Sequence, residues 1–138
     1  MQDMGVPVPA PSFRLRFEKR PGYLYAHVSG PEDSPAISLA YWTSIAAECR
    51  KRRPASLMVR DTLEGVAATP EEIAGQMPHL RGLGLEGLRI AFVEETSAHV
   101  PLMEIGESIA REHGFMVRVF GREDEAIRWL RYGSPDDP

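Results

Sequence analysis

The chain has 138 residues, 43% hydrophobic and 26% charged, and a formal net charge of −4. That length fits one domain able to bury a core without disulfides or metal staples. The acidic balance excludes a general nucleic-acid binder, and the lone Cys49 excludes an internal disulfide or a multi-cysteine metal site.

Residues 1–12 carry Pro7, Pro9 and Pro11 without periodicity and are expected to form a disordered arm. They have neither the basic region nor the apolar core of a secretory leader, and no apolar run reaches the ~20 residues of a membrane span. The expected compartment is therefore the cytoplasm, with no membrane partner. The domain is expected over 13–132, with a second disordered stretch at 133–138.

Phe13, Leu15 and Phe17 alternate with charged residues, which predicts a half-buried strand. Lys19-Arg20-Pro21-Gly22 is turn chemistry, and a second strand from Tyr23 to Ser29 completes a hairpin. Ser34 caps helix one with Pro35 at its first position. Trp42, Ile45, Ala46 and Cys49 form its apolar stripe, and Arg50 to Arg53 close it before Pro54. Strand three runs from Ser56 to Asp61.

Thr69-Pro70-Glu71-Glu72 is a capping box that starts helix two, and Pro78 is expected to kink or split that helix. Strand four covers Leu88–Val93. Helix three covers Ser97 to His113, with Leu102, Ile105 and Ile109 inward and Gly114 just past its end. Strand five is Phe115–Phe120, and helix four is Arg122–Tyr132.

This order predicts an α/β domain: a hairpin, three helix–strand repeats and a terminal helix around a mixed sheet of about five strands. The first strand should be antiparallel and the rest parallel. Helices two, three and four are expected on one face. The predicted core is Phe17, Trp42, Leu57, Val59, Ile90, Phe92, Ile105, Val117 and Leu130.

Several motifs invite a chemistry. Gly82-Leu83-Gly84-Leu85-Glu86-Gly87 matches the dinucleotide fingerprint, but it follows a helix and precedes a strand, the reverse of what pyrophosphate binding needs. It reads as a glycine-rich helix end. Apart from His113 with Glu112 or Glu107, a common pairing on exposed helices, His27, His79, His99 and His113 do not pair at metal-ligand spacing, Cys49 lies on an apolar stripe, and no serine occupies a nucleophile elbow. No catalytic residue, cofactor or metal is therefore expected.

The weaker face of the sheet carries Arg60, Arg89 and Arg118 with Met58 and Met116, types enriched at protein interfaces. They are expected either to pair with carboxylates such as Glu18 or Glu94 under helix one, or to form a homodimer or partner surface. The loop from Thr62 to Thr69 follows the carboxyl end of a parallel strand, where open α/β sheets place ligands. Asp61, Thr62, Gly65 and Thr69 are its candidate residues, with a small apolar or anionic molecule as the alternative partner.

The element order from Phe13 to Tyr132, the opening hairpin, and the closing Val117-Arg118-Val119-Phe120 with Glu125-Ala126-Ile127-Arg128-Trp129-Leu130 resemble the STAS domain. Within that superfamily they are most similar to SpoIIAA-like proteins. The resemblance implies a non-enzymatic regulatory or protein-interaction module of the anti-sigma-factor-antagonist kind. In those proteins a serine or threonine after an aspartate follows strand three, and its phosphorylation switches partner binding. Asp61-Thr62 occupies the matching place, although Leu63-Glu64 stands where that family has a small-residue turn. The remaining alternative is an enzyme of unrecognised type.

Overall fold

The computed structural model describes residues 13–65 and 68–133, so the expected arm at 1–12 and all but Gly133 of the expected tail lie outside the described residues. The elements are β1 (Arg14–Arg20), β2 (Tyr23–Gly30), α1 (Pro35–Arg52), β3 (Ser56–Leu63), α2 (Pro70–Leu80), β4 (Arg89–Val93), α3 (Val100–Glu112), β5 (Met116–Phe120) and α4 (Glu123–Tyr132). A 3-10 turn at Ser97–His99 leads into α3, which holds Pro101 in its first turn. The five strands lie in sequence order; β1 is antiparallel to β2 and the others are parallel.

The expected kink or split at Pro78 does not interrupt α2, which runs on to Leu80. Pro78 falls in the last turn, where little helix remains after it to be disturbed. The N-terminal signals hold: the Ser34 hydroxyl accepts from the Ile37 N–H at 3.1 Å, and Thr69 and Glu72 form a reciprocal capping box. Between α2 and β4, Gly82, Gly84 and Gly87 all have positive φ. They are turn residues.

The helices divide between the faces differently from expectation. α1, α2 and α3 pack on one side against Leu24, Ala26, Leu57, Val59, Ile90 and Phe92. α4 packs on the other, against Tyr23, Tyr25, Met58, Ala91 and Val93. The strand order explains the three. Each crossover from β2 to β5 steps to the next strand in one direction, so right-handed connections leave every helix on the same face. α4 connects to no further strand and escapes that rule. Its stripe of Ala126, Trp129 and Leu130 covers the face left open.

Of the predicted core, Leu57, Val59, Ile90, Phe92 and Leu130 are buried, while Phe17, Trp42 and Val117 pack half-buried against it. Ile105 is the error: it is 47% exposed. α3 carries a second row, Met103, Gly106 and Ala110, and that row faces inward. The small residues let α3 approach α2; a Cβ on Gly106 would stand 3.1 Å from Ile73 Cδ1. Close approach wins at Ile105, while Ile109 of the expected stripe still packs against the core.

α3 also covers the outer edge of β5. Glu107 accepts the Val119 N–H at 2.7 Å, and Arg111 Nε donates to the Val117 carbonyl at 3.0 Å. Edge strands left bare invite pairing with other chains. Here two side chains occupy one N–H and one carbonyl of that strand.

Candidate functional site

Asp33, Asp61 and Glu94 stand at the carboxyl ends of three successive parallel strands. Asp33 follows β2, Asp61 lies near the end of β3, and Glu94 follows β4. Asp61 shares the parity of Leu57 and Val59, so its side chain enters the face that holds α1 to α3. There it lines a cavity of about 130 Å³ between the sheet and those helices.

The cavity is mostly apolar. Ile90, Phe92, Val117 and Val119 supply its sheet wall, and Met77 and Met103 reach in from α2 and α3. Trp42 stacks on Phe92 with ring centroids 6.2 Å apart. Gln76 closes one side by donating to the Pro35 carbonyl at 3.0 Å and accepting from Ser38 at 3.2 Å, which ties α2 to the start of α1.

Asp61 is only 7% exposed. Its Oδ1 accepts the Leu63 N–H at 2.8 Å, and among the described residues no cation lies within ion-pair distance. Burial pushes its carboxyl up to about 7 against that stabilising bond, helped by repulsion from Asp33 and Glu94. Asp33 is raised too, chiefly by burial, while the Ser34 N–H opposes the shift. The buried Tyr41 phenol is held well above its ordinary value by burial and by the nearby Asp61 and Asp33 carboxylates. Glu94 accepts the Thr96 N–H at 2.9 Å and lies 3.6 Å from His99.

The other candidate residues part company with Asp61. Thr62, one residue on, faces the opposite side; its exposed hydroxyl lies 2.8 Å from His27 Nε2 and donates to the Val28 carbonyl at 3.3 Å. It belongs to β3, which runs two residues further than expected. Thr69 is committed to its capping box. Gly65 has φ +105°, and a Cβ there would stand 3.2 Å from the Asp33 N. It seats the loop after β3 against the segment that carries Asp33. Residues 66–67 lie outside the described residues.

The arginine face is covered by α4, not by α1. Met58 is fully buried beneath α4, and Arg89 donates to the Trp129 carbonyl at 3.1 Å with its guanidinium 5.2 Å from the indole. Arg60 pairs with Glu95 at 2.7 Å and Glu123 at 3.7 Å. Arg118 stands level with Ala91 and hence with Met58, while Met116 is 41% exposed. Cys49 is buried, and burial pushes its thiol up to about 11, which keeps it protonated and unreactive.

Among the described residues, no group of three His, Cys, Asp or Glu side chains is arranged to hold a metal ion. No helix there is long and apolar enough to cross a membrane. Neither the protein-family models nor the curated proteins compared with this chain contain a match to it.

Proposed function

We propose that this domain binds a small, largely apolar ligand in the cavity between its sheet and α1 to α3. One observation carries the reading: a buried carboxylate, Asp61, opens into a mostly apolar space at the carboxyl ends of the strands. Ligand sites are typically apolar pockets with a few placed polar groups, and α/β sheets hold them at that end. An anionic ligand is disfavoured, because Asp33, Asp61 and Glu107 line the space.

A buried charge without a counter-ion destabilises a fold, so its presence asks for a purpose other than packing. Native mass spectrometry of protein purified from its own host tests the reading. A retained small molecule is expected, and Ala110→Leu, which fills the cavity, should remove it. A spectrum of the bare chain alone, or a molecule retained equally by the variant, would contradict the proposal.

A regulatory or protein-interaction module of the SpoIIAA-like kind, acting with a partner protein or a second copy of itself, is the second reading. The exposed hydroxyl of Thr62 at the end of β3 supports it. Its mark in the same spectrum would be a phosphate-mass increment lost in Thr62→Ala. Absence of that increment in host-purified protein would count against it.

A further inference from the structure

The cavity lining carries charge of one sign. Asp33, Asp61 and Glu107 contribute to it, and among its described lining residues there is no lysine, arginine or histidine. Glu107 is already engaged by the Val119 N–H, and Asp33 by the Ser34 N–H. Asp61 differs in burial: like them it holds one N–H donor among the described residues, but it is nine-tenths buried where they are half-buried. A buried carboxylate normally gains stability from a cation or from several donors, and among the described residues this one has neither.

We infer that the ligand is a small organic amine, with its ammonium seated on Asp61 and its apolar body against Trp42, Phe92 and Met103. The inference rests on the ligand-binding reading above and adds the chemical class. A metal ion fits poorly, since among the described residues no three such ligands are arranged to hold one and the remaining walls are mostly apolar. A carboxylate ligand would face Asp33 and Asp61 directly. The size is constrained as well. At about 130 Å³ the cavity is close to the apolar cavities of about 150 Å³ that hold benzene, so the ligand has roughly six to eight non-hydrogen atoms.

The titratable groups around Asp61 bear on how binding should respond to pH, and Glu107 of α3, held by the Val119 N–H, is one of them through the shared cavity lining. Asp33 faces it from the segment before α1, Glu94 from the end of β4, and Tyr41 from α1. His99 enters through its 3.6 Å contact with Glu94. The Tyr41 phenol stays neutral, so it adds no charge. Asp61 without a ligand titrates at about 7. An ammonium ion binds its ionised form, so affinity should rise with pH through that value and fall below it.

Calorimetric titration with benzylamine, toluene and benzoate, at about pH 8 and about pH 5.5, tests the inference. At the higher pH benzylamine should bind about tenfold more tightly than toluene, with benzoate weakest. That advantage should vanish at the lower pH and in Asp61→Asn, while toluene affinity stays the same in all cases. Equal binding of toluene and benzylamine would overturn the amine assignment and leave the cavity reading intact. Benzoate binding best at the lower pH would overturn it in favour of a protonated Asp61 acting as a donor. Unchanged benzylamine affinity in Asp61→Asn would also overturn it, and failure of all three probes would overturn both readings.

Discussion

Asp61→Asn should stabilise the domain by roughly 3–4 kcal/mol at about pH 8 and change little at about pH 4. The folded carboxyl titrates at about 7, against roughly 3.9 for an aspartate in an unfolded chain. Between those values the folded state holds a proton that the unfolded state has lost. Stability therefore falls as pH rises through that window, and the full cost is present above it. Asparagine carries no charge to bury and keeps an oxygen for the Leu63 N–H. Asp33, whose carboxyl is also raised, adds to the same trend. Urea unfolding of both proteins across the window measures the effect. A wild-type stability that is flat from about pH 4 to about pH 7 would mean that Asp61 is already compensated.

The second large effect concerns α4. Trp129→Ala should cost about 3–5 kcal/mol, the range for truncating a buried aromatic. Trp129 is 5% exposed, and its ring centroid lies 5.7 Å from that of Phe120. Arg89 lies alongside the indole and also bonds the Trp129 carbonyl, so one side chain anchors both ring and helix end. Removing the indole uncovers Met58 and Ala91, both fully buried in the intact domain. A cost under about 1 kcal/mol in equilibrium unfolding would show that α4 merely decorates the sheet.

These two residues show how far the sequence could be read. The strands were legible because Leu57, Val59, Ile90, Phe92, Val117 and Val119 share one parity while Arg60, Arg89 and Arg118 take the other, and their register follows that parity. Caps made the starts of α1 and α2 legible. The placement of α4 was not, because amphipathicity reports which face of a helix is buried and not which face of the sheet receives it. The position of α1 to α3 follows from connection handedness once the strand order is known. Ile105 misled because α3 carries two apolar rows, and only the packing of Gly106 against Ile73 selects between them.

The site was half legible. Asp61 was singled out from its place at a strand end, and Gly65 proves to seat the adjoining loop. Thr62 was grouped with Asp61 by adjacency, yet strand alternation sends neighbouring side chains to opposite faces. Asp33, Tyr41 and Gln76 were missed, and Glu94 was read only as a partner for the arginine face. A signal existed for Asp33 and Glu94: an acidic residue recurs at the carboxyl end of β2, β3 and β4. Tyr41 and Gln76 carry no such mark, because helical periodicity alone reads them as ordinary positions of α1 and α2.

The most direct measurement is a toluene titration followed through the backbone amide NMR shifts. Saturable shifts are predicted at Met77, Phe92, Ala110 and Val119, which line the cavity, with Ala126 and Leu130 of α4 unmoved. No shift in excess toluene, or shifts confined to the α4 face, would contradict the cavity as the binding site.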